Sequence, residues 1–135
     1  MNETTTVTPS SVSISLYEKL GGAKGIASFV DDVVAAHLEN PVIRARFLPY
    51  LNDMDKVQVI KRHFCEFLGM GCGGPETYTG RDMLSVHRGM NISDAEYMAV
   101  LDDILLVLDR HQVDEDTKKE MLYMAYSVKS QIVRV

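Results

Sequence analysis

The sequence predicts an all-α protein of one domain. Apolar residues recur three and four positions apart from Leu16 to the end of the chain, which is the period of amphipathic helices. No segment keeps the alternation of β-branched residues that is typical of a strand. The 135 residues suffice for one domain with its own core. We expect residues 1–14 to form a flexible N-terminal tail and residues 15–135 to form the domain.

Three helices are predicted before the middle of the chain. A short helix over about 15–20 stops at Gly21-Gly22, because glycine readily adopts the left-handed dihedrals that end a helix. A second helix ends before Asn40-Pro41, and its broad apolar stripe comprises Ile26, Phe29, Val30, Val33, Val34, His37 and Leu38. A brief turn over 42–48 then leads into a third helix over 55–69.

A glycine-rich hinge follows the third helix. Four glycines between positions 69 and 74, followed by Pro75, are expected to break that helix. A short helical stretch over 82–88 comes next, before a turn at Gly89.

Two longer helices complete the fold. Ser93 and Glu96 have the spacing of a capping box, so a helix is predicted from this point to about His111. The last helix is predicted from Asp114 or Asp116 to Val133; its apolar stripe comprises Met121, Leu122, Met124, Ala125, Val128 and Ile132.

Composition argues against several classes of protein. A formal net charge of -5 is unfavourable for nonspecific binding to nucleic acid. No run of about eighteen apolar residues is present, so no membrane span is predicted. The N-terminus lacks the basic start and apolar core of a secretory signal. Cys65 and Cys72 fit neither a CxxC motif nor a four-cysteine zinc site, and we interpret them as free thiols of a cytoplasmic protein.

Two histidines flank the hinge and are the candidate metal ligands. His63 and His87 stand on otherwise apolar stripes, and an imidazole nitrogen is a natural ligand for iron, zinc and copper. No HExxH motif supports a hydrolytic zinc site. An apolar lining suits a porphyrin, which buries a large apolar area and needs only one or two axial ligands. Haem is the candidate cofactor; the alternative is a helical interaction module in which these residues belong to the core.

Four motifs in combination resemble the group I truncated haemoglobins. They are Leu16-Tyr17-Glu18-Lys19-Leu20-Gly21-Gly22, Phe47 after Asn40-Pro41, Gly73-Gly74-Pro75-Glu76-Thr77-Tyr78-Thr79-Gly80-Arg81, and Met83-Leu84-Ser85-Val86-His87. The resemblance covers the chain from about Ser15 to its C-terminus. It implies a truncated globin-like two-over-two helical sandwich around a haem, with the proximal ligand carried on a loop and a very short helix.

The resemblance also implies roles for individual residues. His87 matches the proximal ligand, Phe47 the phenylalanine that packs on the haem face, and Tyr78 the residue near a propionate. Further cofactor contacts are predicted along the proximal wall, at Met83, Val86, Ile92, Tyr97, Val100 and Leu101.

The distal side admits two registers. Anchoring the resemblance at Asn52-Asp53-Met54 puts Lys61 over the iron, but this register requires three extra residues before the hinge. Anchoring at the hinge turns Ile60, His63 and Phe64 toward the haem, with Phe67 as a further contact. The interval of 24 residues between His63 and His87 (87 minus 63) then matches members that coordinate haem iron through two histidines. We favour the second register.

The distal positions depart from the family pattern. Val34 stands where a tyrosine usually hydrogen-bonds bound oxygen, and Ile60 and Phe64 replace residues that are often glutamine. Lys61 and Arg81 are candidates to meet a haem propionate by a charge-assisted hydrogen bond.

The predicted function is reversible binding of O2, NO or CO at a noncovalent haem b, with His87 as the proximal ligand and His63 as a displaceable distal ligand. His111 does not match the late histidine that some relatives attach to a haem vinyl. Two alternatives remain open. One is an enzyme that converts nitric oxide and oxygen to nitrate with an external reductase, and the other is a bis-histidyl electron carrier.

Overall fold

The structure, a computed structural model, describes residues 14–135; the expected tail therefore lies outside the described residues except for Ile14. The described part contains seven α-helices and no strand, which confirms the all-α prediction. The helices are α1 (Leu16–Lys19), α2 (Gly22–Glu39), α3 (Arg44–Phe47), α4 (Met54–Gly71), α5 (Met83–His87), α6 (Asp94–Arg110) and α7 (Glu115–Ser127).

The main core lies where α2 packs against both α4 and α6. Phe29, Val30 and Val33 of α2 are buried there, against Leu68 of α4 and Leu108 of α6. The apolar stripe predicted for the second helix thus lies at the centre of the fold. Each of its bulky side chains contributes about 1.5–3 kcal/mol to stability when it is fully removed from water.

The corner after α2 is more regular than the predicted turn. Helix α3 and a 3-10 turn over Leu48–Tyr50 occupy it. Asn40 starts this structure, because its carbonyl accepts from the backbone N–H groups of Ile43 and Arg44 at 3.1 and 2.8 Å. The corner therefore presents Phe47 at the end of a short helix.

The glycines at 69 and 71 do not end α4, the third of the predicted helices, which continues to Gly71. Gly69 is buried and is needed for packing, because a Cβ added there would lie 2.4 Å from the Glu76 Oε1 atom of the returning hinge. The chain leaves the helix only afterwards, at Cys72 and at Gly73, whose φ is +88°.

The last helix is shorter than predicted, because it ends at Ser127. A 3-10 turn over Lys129–Gln131 follows, and Ile132 is buried against Tyr97 and Leu101 of α6 in a second apolar cluster. The chain then runs beside the segment after α5, where Arg134 N–H donates to the Ile92 carbonyl at 2.8 Å. The tail of the domain thus supports the region that follows His87.

Candidate cofactor site

His87 ends the five-residue helix α5, and its side chain is held in one tautomer. Asp82 caps this helix by accepting from the Ser85 N–H at 3.2 Å. The His87 Nδ1 atom lies 2.8 Å from the Met83 carbonyl oxygen. Because a carbonyl only accepts, Nδ1 carries the proton and donates. The Nε2 atom of the neutral ring is then the one available to a metal, an arrangement common among metal-ligating histidines.

The loop after His87 is held by the C-terminal segment. The backbone N–H groups of Gly89 and Asn91 donate to the Val135 carbonyl at 3.2 and 2.9 Å. Helix α5 packs against the turn over Lys129–Gln131. The position of His87 therefore depends on residues more than forty positions away in sequence.

Helix α4 carries the predicted distal residues, and Ile60, Phe64 and Phe67 are partly buried on one of its faces. At about 100° per residue, His63 lies about 60° to one side of Ile60 and Lys61 about 100° to the other. The two candidate ligands thus flank the apolar face on opposite sides.

The neighbours of these two residues differ. The ring of His63 meets the ring of Tyr78 edge-on, with centroids 5.9 Å apart, and so faces the hinge. The Lys61 ammonium lies 3.1 Å from the Asp31 carboxylate of α2. Lys61 therefore already has a charged partner on the neighbouring helix.

A small apolar pocket lies between α2, the corner and the N-terminal half of α4. It is lined by Val34, Leu38, Phe47, Tyr50, Leu51, Val57, Ile60 and Lys61. Val34 thus lies at the pocket, where the expected tyrosine is replaced. Both registers contribute to the lining, since Lys61 belongs to one and Ile60 to the other.

These residues fit a flat apolar group held by an imidazole. Phe64 and Phe67 on α4 and Met83 and Val86 near His87 are apolar and only partly buried. The short helix α5 has its principal helix contact with the C-terminal turn rather than with α4. Apolar side chains that are not sealed by protein, together with a free imidazole nitrogen, are what a porphyrin site requires.

The other predicted contacts lie in or against the two apolar clusters. Tyr97 and Leu101 are buried in the second apolar cluster, and Ile92 packs against that cluster. The Tyr97 hydroxyl donates to the Ala125 carbonyl, and burial raises the pKa of Tyr97 to about 12. Val100 packs against the main core.

At the hinge, Arg81 is exposed, and its carbonyl accepts from the Tyr78 hydroxyl at 2.6 Å. The structure thus brings Tyr78 to His63 and leaves the Arg81 side chain at the surface.

Sequence reasoning missed a buried polar cluster beside the pocket. The sequence placed His37 only on the apolar stripe of the second helix, but His37 is 6% exposed and its Nδ1 atom lies 2.7 Å from the Oδ2 atom of Asp103, itself 7% exposed. Asp103 lies on the apolar stripe of α6. A charged residue on such a stripe needs a buried partner, and this signal indicated that Asp103 would have one.

A second contact that the sequence did not predict joins the corner to the start of α6. The Arg46 guanidinium of α3 holds the Glu96 carboxylate by two bonds, Nε to Oε2 at 2.6 Å and Nη2 to Oε1 at 2.9 Å. Its Nη1 donates to the Met90 carbonyl at 2.9 Å. These bonds, with the capping contact from Ser93, lower the pKa of Glu96 to about 2.

Comparison with known proteins decides the family. The profile of the bacterial-like globin family matches residues 15–134. A group 1 truncated haemoglobin of Synechocystis sp. is 30% identical over 115 residues, which cover 82% of this chain and 89% of that protein. The chain is a group 1 truncated haemoglobin. A second such haemoglobin, from Tetrahymena pyriformis, is 26% identical over 119 residues, or 80% of this globin and 94% of that protein.

Solved structures agree with the fold of this globin. The Fe(III) form of the Tetrahymena pyriformis truncated haemoglobin superposes with a TM-score of 0.80 at 24% identity, covering 90% of this chain and 100% of that one. The 2/2 haemoglobin of Synechococcus sp. PCC 7002, a cyanomet form with covalently attached haem, gives 0.75 at 27% identity over 87% and 95%. The two-over-two helical sandwich is therefore confirmed, and the family implies a haem cofactor and a diatomic ligand.

In residues 14–135, none of the helices has the length and apolar character needed to cross a membrane.

Proposed function

We propose that this globin holds one noncovalent haem b through His87 and reversibly binds a diatomic gas, O2, NO or CO, on the opposite side. The hydrogen bond from His87 Nδ1 to the Met83 carbonyl carries the proposal. It leaves Nε2 as the ligating atom and makes the ring a stronger donor to iron. Bound haem supplies the iron at which the gas binds.

The residues around the pocket exclude water and offer few polar contacts. Val34, Phe47 and Ile60 line the space between α2 and α4 with hydrocarbon. Such a lining protects the iron from solvent and leaves a bound gas with fewer hydrogen-bond donors than the usual tyrosine and glutamine provide. Each missing neutral donor lowers the stability of bound oxygen by on the order of 1 kcal/mol.

We further propose that His63 is the sixth ligand in the absence of gas. Its rival Lys61 is engaged by Asp31, and withdrawing it would break that ion pair. His63 makes an edge-on ring contact with Tyr78. Gas must displace His63, so apparent affinity falls by the fraction of molecules in which the imidazole has swung away.

Two observations support the noncovalent cofactor and the cytoplasmic location. His111 Nε2 lies 2.7 Å from the Asp32 carboxylate and its ring packs edge-on against Phe29, so this histidine already has partners within the protein. Cys65 and Cys72 are free, which is typical of proteins from a reducing compartment.

The apolar pocket favours a second candidate function, bis-histidyl electron transfer. A haem held by His63 and His87 changes its iron state with little rearrangement, whereas nitrate formation from nitric oxide needs stable oxygen binding and an external reductase. Carbon monoxide distinguishes these functions, because an electron carrier resists it and a gas binder takes it up.

The test is a set of absorption spectra of the ferric and ferrous protein. Wild type is expected to be six-coordinate and low-spin, and His63→Ala high-spin with faster binding of carbon monoxide. Lys61→Ala, on the other side of the apolar face of α4, is the matched control and should keep the wild-type spectrum. A high-spin wild type that His63→Ala leaves unchanged would refute the sixth ligand. A wild type with no Soret absorption after haem addition would refute the function.

A further inference from the structure

The ring of His37 stacks on the ring of Phe47. The two centroids lie 5.3 Å apart and the planes are inclined by 27°. Phe47 also lines the apolar pocket beside Val34 and Ile60. A change in the plane or position of the His37 ring is therefore transmitted to the wall of the pocket, because packed side chains leave little free space between them.

The His37 side chain is held in place by a hydrogen bond to a neighbouring helix. Its Nδ1 atom lies 2.7 Å from the Oδ2 atom of Asp103 on α6, and the Oδ1 atom of Asp103 accepts from the Asn40 side chain at 3.1 Å. Asn40 in turn accepts from the Val42 N–H at 3.1 Å. The cluster of His37, Asp103 and Asn40 thus links α2, α6 and the start of the corner that carries Phe47.

The protonation of the cluster is set by its surroundings. Burial lowers the pKa of His37 more than Asp103, the charged group that faces it, raises that pKa. The ring is therefore neutral at pH 7, and Nδ1–H donates to the Asp103 carboxylate. This bond fixes the tautomer and the plane of the ring, as carboxylates do for other functional histidines.

A buried charge costs free energy of desolvation, and an apolar pair of equal volume often stabilises a core as well or better. An apolar side chain at position 37 would fill the space but would not fix the orientation of an aromatic ring. Orientation is thus the property that this cluster adds to ordinary packing.

We propose that His37, Asp103 and Asn40 are positioning residues that hold the Phe47 ring against the haem pocket and so set the rate at which a gas ligand enters. The cluster acts through Phe47 and does not itself touch iron or gas. The inference rests on the proposed function for its effect on ligand binding, but the placement of Phe47 is a property of the chain itself.

The test compares two histidine–aspartate pairs that have the same donor–acceptor distance. Asp103→Asn removes the buried charge, and Asp32→Asn removes the charge from the His111 pair, whose donor and acceptor are also 2.7 Å apart. His37→Gln is a second variant, which removes the stacked ring but retains a side-chain N–H. Rebinding of carbon monoxide after photolysis and the NMR signals of the Phe47 ring are recorded for each full-length protein.

We expect Asp103→Asn and His37→Gln to change the rebinding rate by about threefold or more and to shift the Phe47 signals, and Asp32→Asn to change neither. In the background of Phe47→Leu, Asp103→Asn should have no further effect on the rate, because the two residues act in series. Variants that lower the melting temperature but keep the rate and the Phe47 signals of wild type would overturn the inference. If wild type takes up no haem, the proposed function fails, and the Phe47 signals of the chain as purified still decide whether the cluster positions the ring.

Discussion

The two ends of α4 differ in how they are held. At the C-terminal end the hinge returns onto the helix: Glu66 accepts from both the N–H and the hydroxyl of Thr79, at 3.1 and 2.7 Å. The Glu76 side chain fills the space above Gly69 and accepts from the Tyr17 hydroxyl at 2.9 Å. At the other end, residues 51–56 are all exposed, and Asp53 caps the helix with a local bond to the Lys56 N–H.

This difference shows which end sets the register of the helix and which end is free to adapt. Long-range bonds and close packing fix the end of α4 nearest the hinge, so the register of the helix is well determined when it is aligned from the hinge. The position of His63 was predicted from that register. The exposed segment 51–56 absorbs changes in length, because loop-closure entropy varies only slowly with length. We expect a displacement of His63 from iron to involve the freer end of α4.

The largest effect is expected from adding a methyl group where the hinge packs near the C-terminal end of α4. A Cβ at Gly74 would lie 2.3 Å from the Tyr17 ring and 2.7 Å from Glu76 Oε1. Gly74→Ala should therefore lower the free energy of unfolding by about 2–3 kcal/mol, as overpacking does elsewhere. Urea denaturation followed by circular dichroism measures it.

Gly71→Ala is the control for that variant, because its methyl group would meet only the flexible Met124 sulfur, at 2.9 Å. It should change the stability by less than about 1 kcal/mol. Equal stability of Gly74→Ala and wild type would show that the hinge can move away from Tyr17, and the contrast between the two ends would be lost.

A smaller effect is expected from Tyr17→Phe, which deletes one hydrogen bond without changing the packed ring. Among residues 14–135, Glu76 Oε1 is already buried without a hydrogen-bond partner, so the variant leaves the second carboxylate oxygen unpaired as well. The loss should be about 1–2 kcal/mol, measured by thermal unfolding. Tyr126→Phe, at an exposed tyrosine, should leave the melting temperature unchanged.

Acid should weaken the contact between Glu66 of α4 and Thr79 of the hinge in a defined pH window. The bonds from Thr79 lower the pKa of Glu66 below its ordinary value of 4.5. A depressed pKa contributes stability that is fully present above pH 4.5 and is lost as the pH falls through the lower pKa of the folded state. The melting temperature of wild type should therefore fall more steeply below pH 4.5 than that of Thr79→Val. Parallel curves would show that this bond does not stabilise the fold.

The smallest effect is expected at the free end. Inserting Gly-Ser between Leu51 and Asn52 should lower the free energy of unfolding by less than about 0.6 kcal/mol, the cost of doubling a loop. The spectrum of the haem protein should remain that of wild type. The same insertion between Gly73 and Gly74 is the control and should abolish the low-spin spectrum; identical outcomes at both places would refute the asymmetry of α4.

Several elements were predictable because their signals are local. The Ser93–Glu96 capping box forms as predicted, and α2 ends at Glu39 before Asn40-Pro41. The residue at which α4 ends was not predictable from its glycines. Gly69 resembles a helix breaker in sequence, but its missing side chain accommodates Glu76, which arrives from beyond the hinge.

The site shows the same division. The motif over 83–87 predicted His87 as a ligand, and the register counted from the hinge predicted Ile60 and Phe64 as haem contacts. The partners of the polar residues escaped prediction. His37 and Asp103 are separated by 66 residues, Arg46 and Glu96 by 50, and Lys61 pairs with a carboxylate of another helix. The position of Asp103 on an apolar stripe indicated that it needed a buried partner, but not which residue would be that partner.

By itself, the sequence determined the helical class, the glycine hinge and the resemblance to group 1 truncated haemoglobins, and it predicted His87 as the proximal ligand. These depend on period, caps and short motifs, all of which act within a few residues. Only the tertiary structure decided that His87 donates to the Met83 carbonyl, that Lys61 is engaged by Asp31 and that His37 supports Phe47. Side-chain partners follow from how helices pack, and packing is a property of the whole chain rather than of any one segment.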